Sequence, residues 1–512
     1  MLVSLAVVGL CAVAAACGYG EPAAPGQAPS LEAGAAPVKA VPTWYRDVEP
    51  IVQTACAGCH VANGTGGFLL DRETAVLLAA FLAERVASRI MPPWPPGRGG
   101  PAIVDARALD DAAIATIGAW AAGGTPLGDE RDHVERPART SRLPARTPDL
   151  HLAVPLEGAY RRPDNAFVSD EVRCFVLDLP AAAAGGAAII AAKWQAAHPV
   201  GIHSLSGVPL DAKAARQAHA RERADGRAGF ECGGGLGDLA HGPPLGANGT
   251  GAAGDGSSLP DGTAVRVPAG GAVLMRIHYA AAHLGEVADA SGVDLWLARE
   301  TEPVRPLELV TITAPSELPC PTGPSADAAN ACSRDHAFSR LAGGDAAEVR
   351  ARADALLAAC GTSLEAYTAR LPFAASAPDH FAIPSSCATA LPFDGVIRVV
   401  HPRMLTHGAG IRVEAERADG SYGVLVDIPS WRWAWDGAYV LEQGVAVQAG
   451  RKVRVSCTFD NGAAAQWSAL TGEPGHDSAA RPPFLAPGYV IGAPNRAAET
   501  CTAFLGVERT SS

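Results

Sequence analysis

The sequence predicts a multidomain fold, in which a small all-α domain precedes two all-β sandwich domains that are separated by a cysteine-containing insertion. The chain has 512 residues, enough for about three domains at roughly 150 residues each. Helical periodicity is concentrated near the N-terminus, whereas short alternating apolar segments bounded by Gly, Pro and Asp dominate from about residue 151. The 56 glycines and 41 prolines also favour short strands and turns over helical bundles.

Charge and hydropathy exclude two classes of protein. Lys and Arg number 41 against 53 Asp and Glu, a net charge of -12, which argues against nucleic acid as a partner. Beyond the N-terminus no apolar run reaches the length of about 18 residues needed to span a bilayer. We therefore expect the body of the protein to be soluble.

The N-terminal segment has the character of an export signal. Residues 1–16 are apolar and end in small residues, as in an export signal. Residues 14–18 resemble a bacterial lipobox in which Cys17 becomes lipidated; simple cleavage is the alternative. Residues 18–40 are rich in Pro, Ala and Gly, as in a linker. These features predict an exported protein, periplasmic or at the outer surface, held to a membrane by a lipid anchor only.

A haem-attachment motif follows the linker. Cys56-Ala-Gly-Cys59-His60 matches C-x-x-C-H, in which two thiols bind haem covalently and the His is presented to the iron. Met91, within the sequence Met-Pro-Pro-Trp, is the predicted second axial ligand, which would favour electron transfer. The alternatives are a Cys56–Cys59 disulfide or a structural metal site, and core packing for Met91.

Helical patterns on both sides of Met91 complete the small domain. An amphipathic stretch covers residues 73–87, and residues 109–122 could form a last helix before two glycines. Residues 41–130 resemble a class I cytochrome c domain, of the variety fused to larger bacterial oxidoreductases. Residues 131–150, with several Pro and Arg, are predicted to be a linker.

The remaining chain is predicted to form β-sandwiches at 151–315 and 390–512, with a Cys-containing insertion at 316–389. An echo of the form V-x-V-x-A-G-x-x-V, at 265–273 and 445–453, indicates either two related sandwiches or common turn chemistry. The insertion includes one helical run, at 345–358. The expected strands are at residues 171–178, 187–194, 273–279, 293–298, 307–313, 411–416, 424–428, 452–459 and 501–507.

Several of these strands carry a family resemblance. The segments 173–178, 276–279, 411–420, 455–461 and 500–504 together resemble the copper type II, ascorbate-dependent monooxygenases, the family of dopamine β-monooxygenase and peptidylglycine α-hydroxylating monooxygenase. The resemblance is patchy over about 151–510. It implies two jelly-roll-like domains with one copper each and hydroxylation of a C–H bond with O2. His and Met suit copper because they bind both of its oxidation states.

Transferring the family's ligands to this chain gives a partial set. For the first copper, His198 and His278 match, while Pro199 replaces the other member of a His pair. His203 or His283 could complete this site, and a satisfied structural His is the alternative for both His198 and His278. For the second copper, every ligand position is replaced, at Arg403, Leu405 and Thr500. A shifted site that includes Met404, with His401 and His407 nearby, is the alternative. The resemblance further implies a disulfide between Cys457 and Cys501, and Cys174 and Cys232 could pair within the first sandwich.

Two functions follow. The first is an exported haem-containing oxidoreductase in which a c-type haem delivers electrons to copper near His198 and His278, acting on an unidentified small-molecule substrate. The second is a catalytically silent c-type cytochrome, an electron carrier or binding protein on a degenerate monooxygenase scaffold, with a redox partner. No catalytic residue is assigned in either case.

Overall fold

The computed structural model describes residues 41–510 except 59, 63–67, 93–98, 105, 107, 136–142, 155–170, 198–201, 233–238, 246, 250–256, 280–288, 328, 340–345, 377, 433–436, 463–487 and 493–497. Within that part the prediction of a mostly β protein with few helices is confirmed. The predicted signal and linker at 1–40, including Cys17, lie outside the described residues. No helix in the described part is long and apolar enough to cross a membrane.

The helices lie in three groups. Near the N-terminus are α1 (Glu49–Ile51, between π-helical turns Trp44–Val48 and Val52–Cys56), α2 (Arg72–Leu77), α3 (Ala79–Ala87) and α4 (Asp111–Ala122). α5 (Ala212–Asp225) covers one sheet, and α6 (Arg334–Ser339), α7 (Ala346–Ala359) and α8 (Leu364–Thr368) belong to the insertion. Asp71, Asp110 and Asp211 each begin a helix by accepting a backbone N–H bond from three residues ahead.

The strands follow in chain order. They are β1 (Leu150–Ala153), β2 (Glu171–Asp178), β3 (Gly186–Gln195), β4 (Ile202–Leu210), β5 (Phe230–Glu231), β6 (Ala247–Gly249), β7 (Ser257–Ser258), β8 (Thr263–Pro268), β9 (Ala272–Tyr279), β10 (Gly292–Leu297), β11 (Arg305–Ala314), β12 (Glu317–Leu318), β13 (Ala382–Ala390), β14 (Gly395–Arg403), β15 (Gly408–Glu416), β16 (Tyr422–Ile428), β17 (Tyr439–Val447), β18 (Lys452–Asp460), β19 (Val490–Gly492), β20 (Ala498–Glu499) and β21 (Cys501–Arg509).

One large sheet connects the two sandwiches. Its strands run in the order β1-β10-β3-β8-β11-β21-β14-β17, with β7 paired to β3. A five-stranded sheet, β5-β2-β9-β4-β6, packs on its first half, and a four-stranded sheet, β13-β18-β15-β16, packs on its second half. A small sheet, β12-β19-β20, lies beside them. The sandwiches therefore share a sheet, which the sequence did not predict.

The shared sheet also moves two boundaries. β11 falls inside the segment predicted as the N-terminal sandwich, yet it pairs with β21 along eight residue pairs and belongs to the C-terminal sandwich. β13 falls inside the predicted insertion, yet it pairs with β18 over nine residue pairs. The insertion proper therefore lies between these two strands. Both boundaries differ from the predicted ones because strands distant in sequence pair with each other, and local periodicity carries no information about such pairing.

The N-terminal helices pack around Trp44 and Trp120, whose ring centroids lie 5.7 Å apart. The chain then returns to the body of the protein. Ile103 forms a bridge to Leu441 in β17, at the edge of the nine-stranded sheet, and backbone N–H groups on both sides of this bridge donate across it at 2.8 and 2.9 Å. This contact attaches the helical segment to the C-terminal sandwich.

Four disulfides staple the β-rich part of the chain. They join Cys174–Cys232, Cys320–Cys332, Cys360–Cys387 and Cys457–Cys501. The Cys174–Cys232 and Cys457–Cys501 pairs are the ones expected from the sequence, and the other two pairs join Cys320, Cys332, Cys360 and Cys387, for which the sequence predicted no pairing. Disulfides at this density are typical of proteins that fold in an oxidising, exported environment.

Candidate functional site

The haem-attachment motif lies at the end of the first helical segment. Cys56 is the last residue of a π-helical turn and is buried in the core formed around the two tryptophans. The backbone N–H of His60 donates to the Cys56 carbonyl at 3.0 Å, and the N–H of Leu70 donates to the His60 carbonyl at 3.1 Å. Cys59 lies outside the described residues. The turn thus holds the backbone of His60 against a packed core.

The His60 side chain has the features of a metal ligand. Its Nδ1 atom is buried and makes no hydrogen bond within the described part of the chain. Burial lowers the pKa of His60, and a hydrogen bond to the backbone of Phe68 acts in the opposite direction. The ring centroid lies 4.5 Å from that of Phe68. A lowered pKa keeps the imidazole neutral near pH 7, and the neutral form is the one that binds iron.

Met91 is fixed by the end of α3. The backbone N–H groups of Ile90 and Met91 both donate to the Arg85 carbonyl, at 3.0 and 3.1 Å, after Arg89 turns the chain with a φ of 55°. The Arg89 side chain donates to the Leu109 carbonyl at 3.3 Å. The side chain of Met91 is half-buried. These bonds set the path of the backbone at the predicted axial ligand.

The helical segment exposes an unusual amount of apolar surface. Nine of the ten large apolar side chains that are exposed in the described part lie between residues 41 and 134. Val61, Phe68 and Leu69 are close to His60 along the chain, and Leu77 and Phe81, exposed by 81% and 50%, lie on the α2–α3 segment. A flat apolar group bound at His60 would cover surface of this kind. The residues present therefore fit haem.

The position predicted for the first copper is enclosed. His278 and Arg276 lie on one face of β9, opposite Ser204 and Ser206 of β4. Both are buried, at 0% and 1% exposure. Ser206 also lines a cavity of about 10 Å³, together with His401, Arg403 and Phe504 of the C-terminal sandwich. His198 and Pro199 lie outside the described residues, so of the two predicted copper ligands, His198 and His278, only His278 is described. His278 belongs to a buried layer of polar side chains.

The position predicted for the second copper is built around a carboxylate. The backbone N–H groups of His407 and Thr500 donate to Glu499 at 2.8 Å each, and the N–H of Leu405 donates to it at 2.5 Å. Burial raises the pKa of Glu499 to about 7, while these bonds and the charge of Arg403 act in the opposite direction. The three replaced ligand positions, Arg403, Leu405 and Thr500, thus converge on Glu499.

His407 completes this buried cluster. Its Nδ1 atom lies 3.8 Å from the Glu499 carboxylate, and burial lowers its pKa to about 4. The side chains supplied at the three converging positions are a guanidinium, an isobutyl group and a hydroxyl, which do not form a copper site of the family type. In the described part of the chain, no three His, Cys, Asp or Glu side chains form a group that could hold a metal ion.

Sequence reasoning did not identify Glu499 or predict its pairing with His407. The sequence did contain a signal for a buried polar cluster, namely the charged residues Arg403 and Glu499 within otherwise apolar strands. A charge that is buried in a strand requires a partner. Their partnership could not be read from the sequence because 96 positions separate them. It depends on β14 and β21 lying side by side.

Comparison with known proteins does not assign a family. No protein-family model and no curated protein matches the chain. Among solved structures, an allantoicase is similar at 11% identity with a TM-score of 0.14, covering 59% of this chain and 78% of that one. A pumpkin seed globulin is similar at 11% identity with a TM-score of 0.11, covering 72% of this chain and 87% of that one. Similarities this weak carry no functional argument.

Proposed function

We propose that this chain is an exported haem protein that transfers electrons. Cys56 and Cys59 would hold the haem covalently, and His60 and Met91 would bind its iron. When bound, haem with these axial ligands supplies one-electron chemistry at a raised reduction potential. The observation that carries the proposal is the buried Nδ1 of His60, which has no hydrogen-bond partner among the described residues and lies close in sequence to exposed apolar side chains, at a C-x-x-C-H sequence.

The protein's own residues prepare this function in two ways. Cys56 packs in the core around Trp44 and Trp120 and its carbonyl accepts from the backbone N–H of His60, so that less of the segment has to be ordered when haem binds. Burial keeps His60 neutral, so that no proton has to leave the ring before the iron is bound. Both effects favour ligation at His60 over a surface histidine.

The oxygenase reaction implied by the resemblance does not enter the proposal. Arg403, Leu405 and Thr500 offer no imidazole or thioether at the second copper position, and Glu499 occupies the space between them with backbone bonds. The sandwiches are then a scaffold of the copper monooxygenase type that serves a redox partner. The lipid anchor at Cys17 remains a prediction.

The proposal is tested by spectroscopy and metal analysis of the full chain, exported from a host that attaches c-type haem. We expect one covalently bound haem per chain in a reduced-minus-oxidised spectrum, and none in Cys56→Ala. Met91→Leu keeps the haem but lowers its reduction potential, whereas the matched control Met275→Leu, in the sandwich core, leaves the potential unchanged. A chain that folds and carries no haem overturns the proposal.

Copper is counted in the same samples. Iron without copper after incubation with excess Cu(II) agrees with an electron carrier. One copper per chain that is lost in His278→Ala, with haem retained, would instead support the oxygenase of the family resemblance and overturn the simpler function.

A further inference from the structure

A large groove on the C-terminal sandwich is unrelated to the haem motif. Its volume is about 940 Å³, at the upper end of the range for small-molecule sites. The floor is the outer face of the sheet β13-β18-β15-β16, and one wall is the segment from Cys360 to Leu371, which contains α8. The disulfide Cys360–Cys387 ties this wall to a strand of the floor, so the groove is already formed without a ligand.

The floor presents a row of polar side chains across four strands. Ser386, Ser456, Arg412 and Asp427 are directly opposite one another in register. The Ser386 and Ser456 hydroxyl oxygens lie 3.0 Å apart, and the Arg412 guanidinium donates to Asp427 at 2.7 Å. Thr458 adds a third hydroxyl in the next row. The row therefore offers hydrogen-bond donors and acceptors side by side.

The charges of the groove are internally compensated. Asp427 pairs with Arg412, and Glu414 pairs with Arg454 at 2.7 Å. Both carboxylates that line the groove are thus neutralised, which leaves no free negative charge for a cation. Arg370 is the one lining cation without an ion pair among the described residues, which is a weak basis for binding an anion. The groove suits a neutral ligand that both donates and accepts hydrogen bonds.

We propose that this groove binds a neutral oligosaccharide. Sugar hydroxyls donate and accept in close succession, which matches the alternation of Ser, Arg and Asp groups along the floor. Because carboxylate and guanidinium are already paired, they are oriented before binding and cost little side-chain entropy when a hydroxyl joins them. The proposal does not depend on haem, because the groove lies on residues 315–458.

The test is calorimetric titration of the full chain with neutral hexasaccharides, namely maltohexaose, cellohexaose, hexa-N-acetylchitohexaose, mannohexaose and xylohexaose, and with hexagalacturonate as an anionic comparator. We expect at least one neutral hexasaccharide to bind with a Kd below about 1 mM. Ser456→Tyr, which fills the floor, weakens that Kd at least tenfold. The matched control Thr389→Tyr, on an exposed position of the same sheet outside the groove, changes it less than twofold.

Thr458→Tyr replaces Ser456→Tyr if the latter does not fold, because Thr458 is an exposed position of the same floor. The proposal is overturned if none of the neutral hexasaccharides binds. It is also overturned if the control Thr389→Tyr weakens binding as much as the variant in the floor of the groove does, or if hexagalacturonate binds more tightly than every neutral sugar.

Discussion

Glu499→Gln should change the stability of this protein in a pH-dependent way. The carboxylate is fully buried and its pKa is raised from 4.5 to about 7, chiefly by desolvation. A raised pKa means that the stability contribution is complete below the unfolded-state value of 4.5 and is lost as pH rises through 7. Glutamine keeps a carbonyl acceptor for the backbone N–H groups and cannot ionise.

The magnitude follows from the two pKa values. Linkage gives a penalty on the wild type of about 1 kcal/mol at pH 5.5 and about 3 kcal/mol at pH 8.5. We therefore expect the stability difference between Glu499→Gln and the wild type to shift by about 2 kcal/mol in favour of the variant between these pH values. This shift does not depend on the pH-independent cost of losing carboxylate hydrogen bonds.

The assay is urea unfolding of both chains at the two pH values, with the midpoint and slope fitted for each. Glu442→Gln, which removes a carboxylate at an exposed position of β17, is the control, and the shift measured for Glu499→Gln should exceed the shift measured for this variant. An equal stability difference for Glu499→Gln at both pH values would refute the reasoning, because it would show that Glu499 keeps its charge on folding.

Three further predictions concern stability. The wild type should lose stability as pH falls from 6.5 through 4, because the lowered pKa of His407 disfavours protonation of this buried ring in the folded state. His407→Gln should lose less stability over the same range, and acid titration of unfolding checks this. Replacing Cys360 and Cys387 by Ala opens a loop with a sequence separation of 27 and should cost about 3 to 4 kcal/mol in denaturant unfolding. Gly408→Ala places a Cβ 2.5 Å from a tryptophan side chain and should cost about 1 to 3 kcal/mol, whereas Gly118→Ala in α4, with open space around it, should gain up to about 1 kcal/mol; thermal melts compare the two, and equal effects would contradict the packing argument.

Local patterns predicted many of the long strands, including β2, β9 and β21, which are buried along nearly all of their length. The strand expected at 171–178 is observed as β2 with the same bounds, and the helix expected at 345–358 is observed as α7. The expected helix at 73–87 is divided by Leu78, whose φ of -102° and ψ of 16° leave the helical region, and α2 and α3 result. Nothing in the sequence signals this break, because position 78 is a leucine and not a polar residue or a proline.

Burial alone does not separate the strands that were predicted from those that were not. β4 and β14 are buried along most of their length and were not among the expected strands, and neither was β13, whose residues alternate between exposed and buried. The sheet that joins the sandwiches depends on the short parallel contact of β8 with β11, for which the local sequence carries no signal. The cluster at Glu499 was not predicted for the same reason, since it forms only once β14 and β21 are neighbours.

The position of β21 has a consequence for the order of synthesis and folding. This strand lies between β11 and β14, so that Thr313 meets Thr502, 189 positions further along the chain. The sheet therefore stays open in the middle throughout translation of the residues between them, and β11 has unsatisfied backbone groups until β21 is made. The middle of this sheet can therefore be completed only when nearly the whole chain has been synthesised.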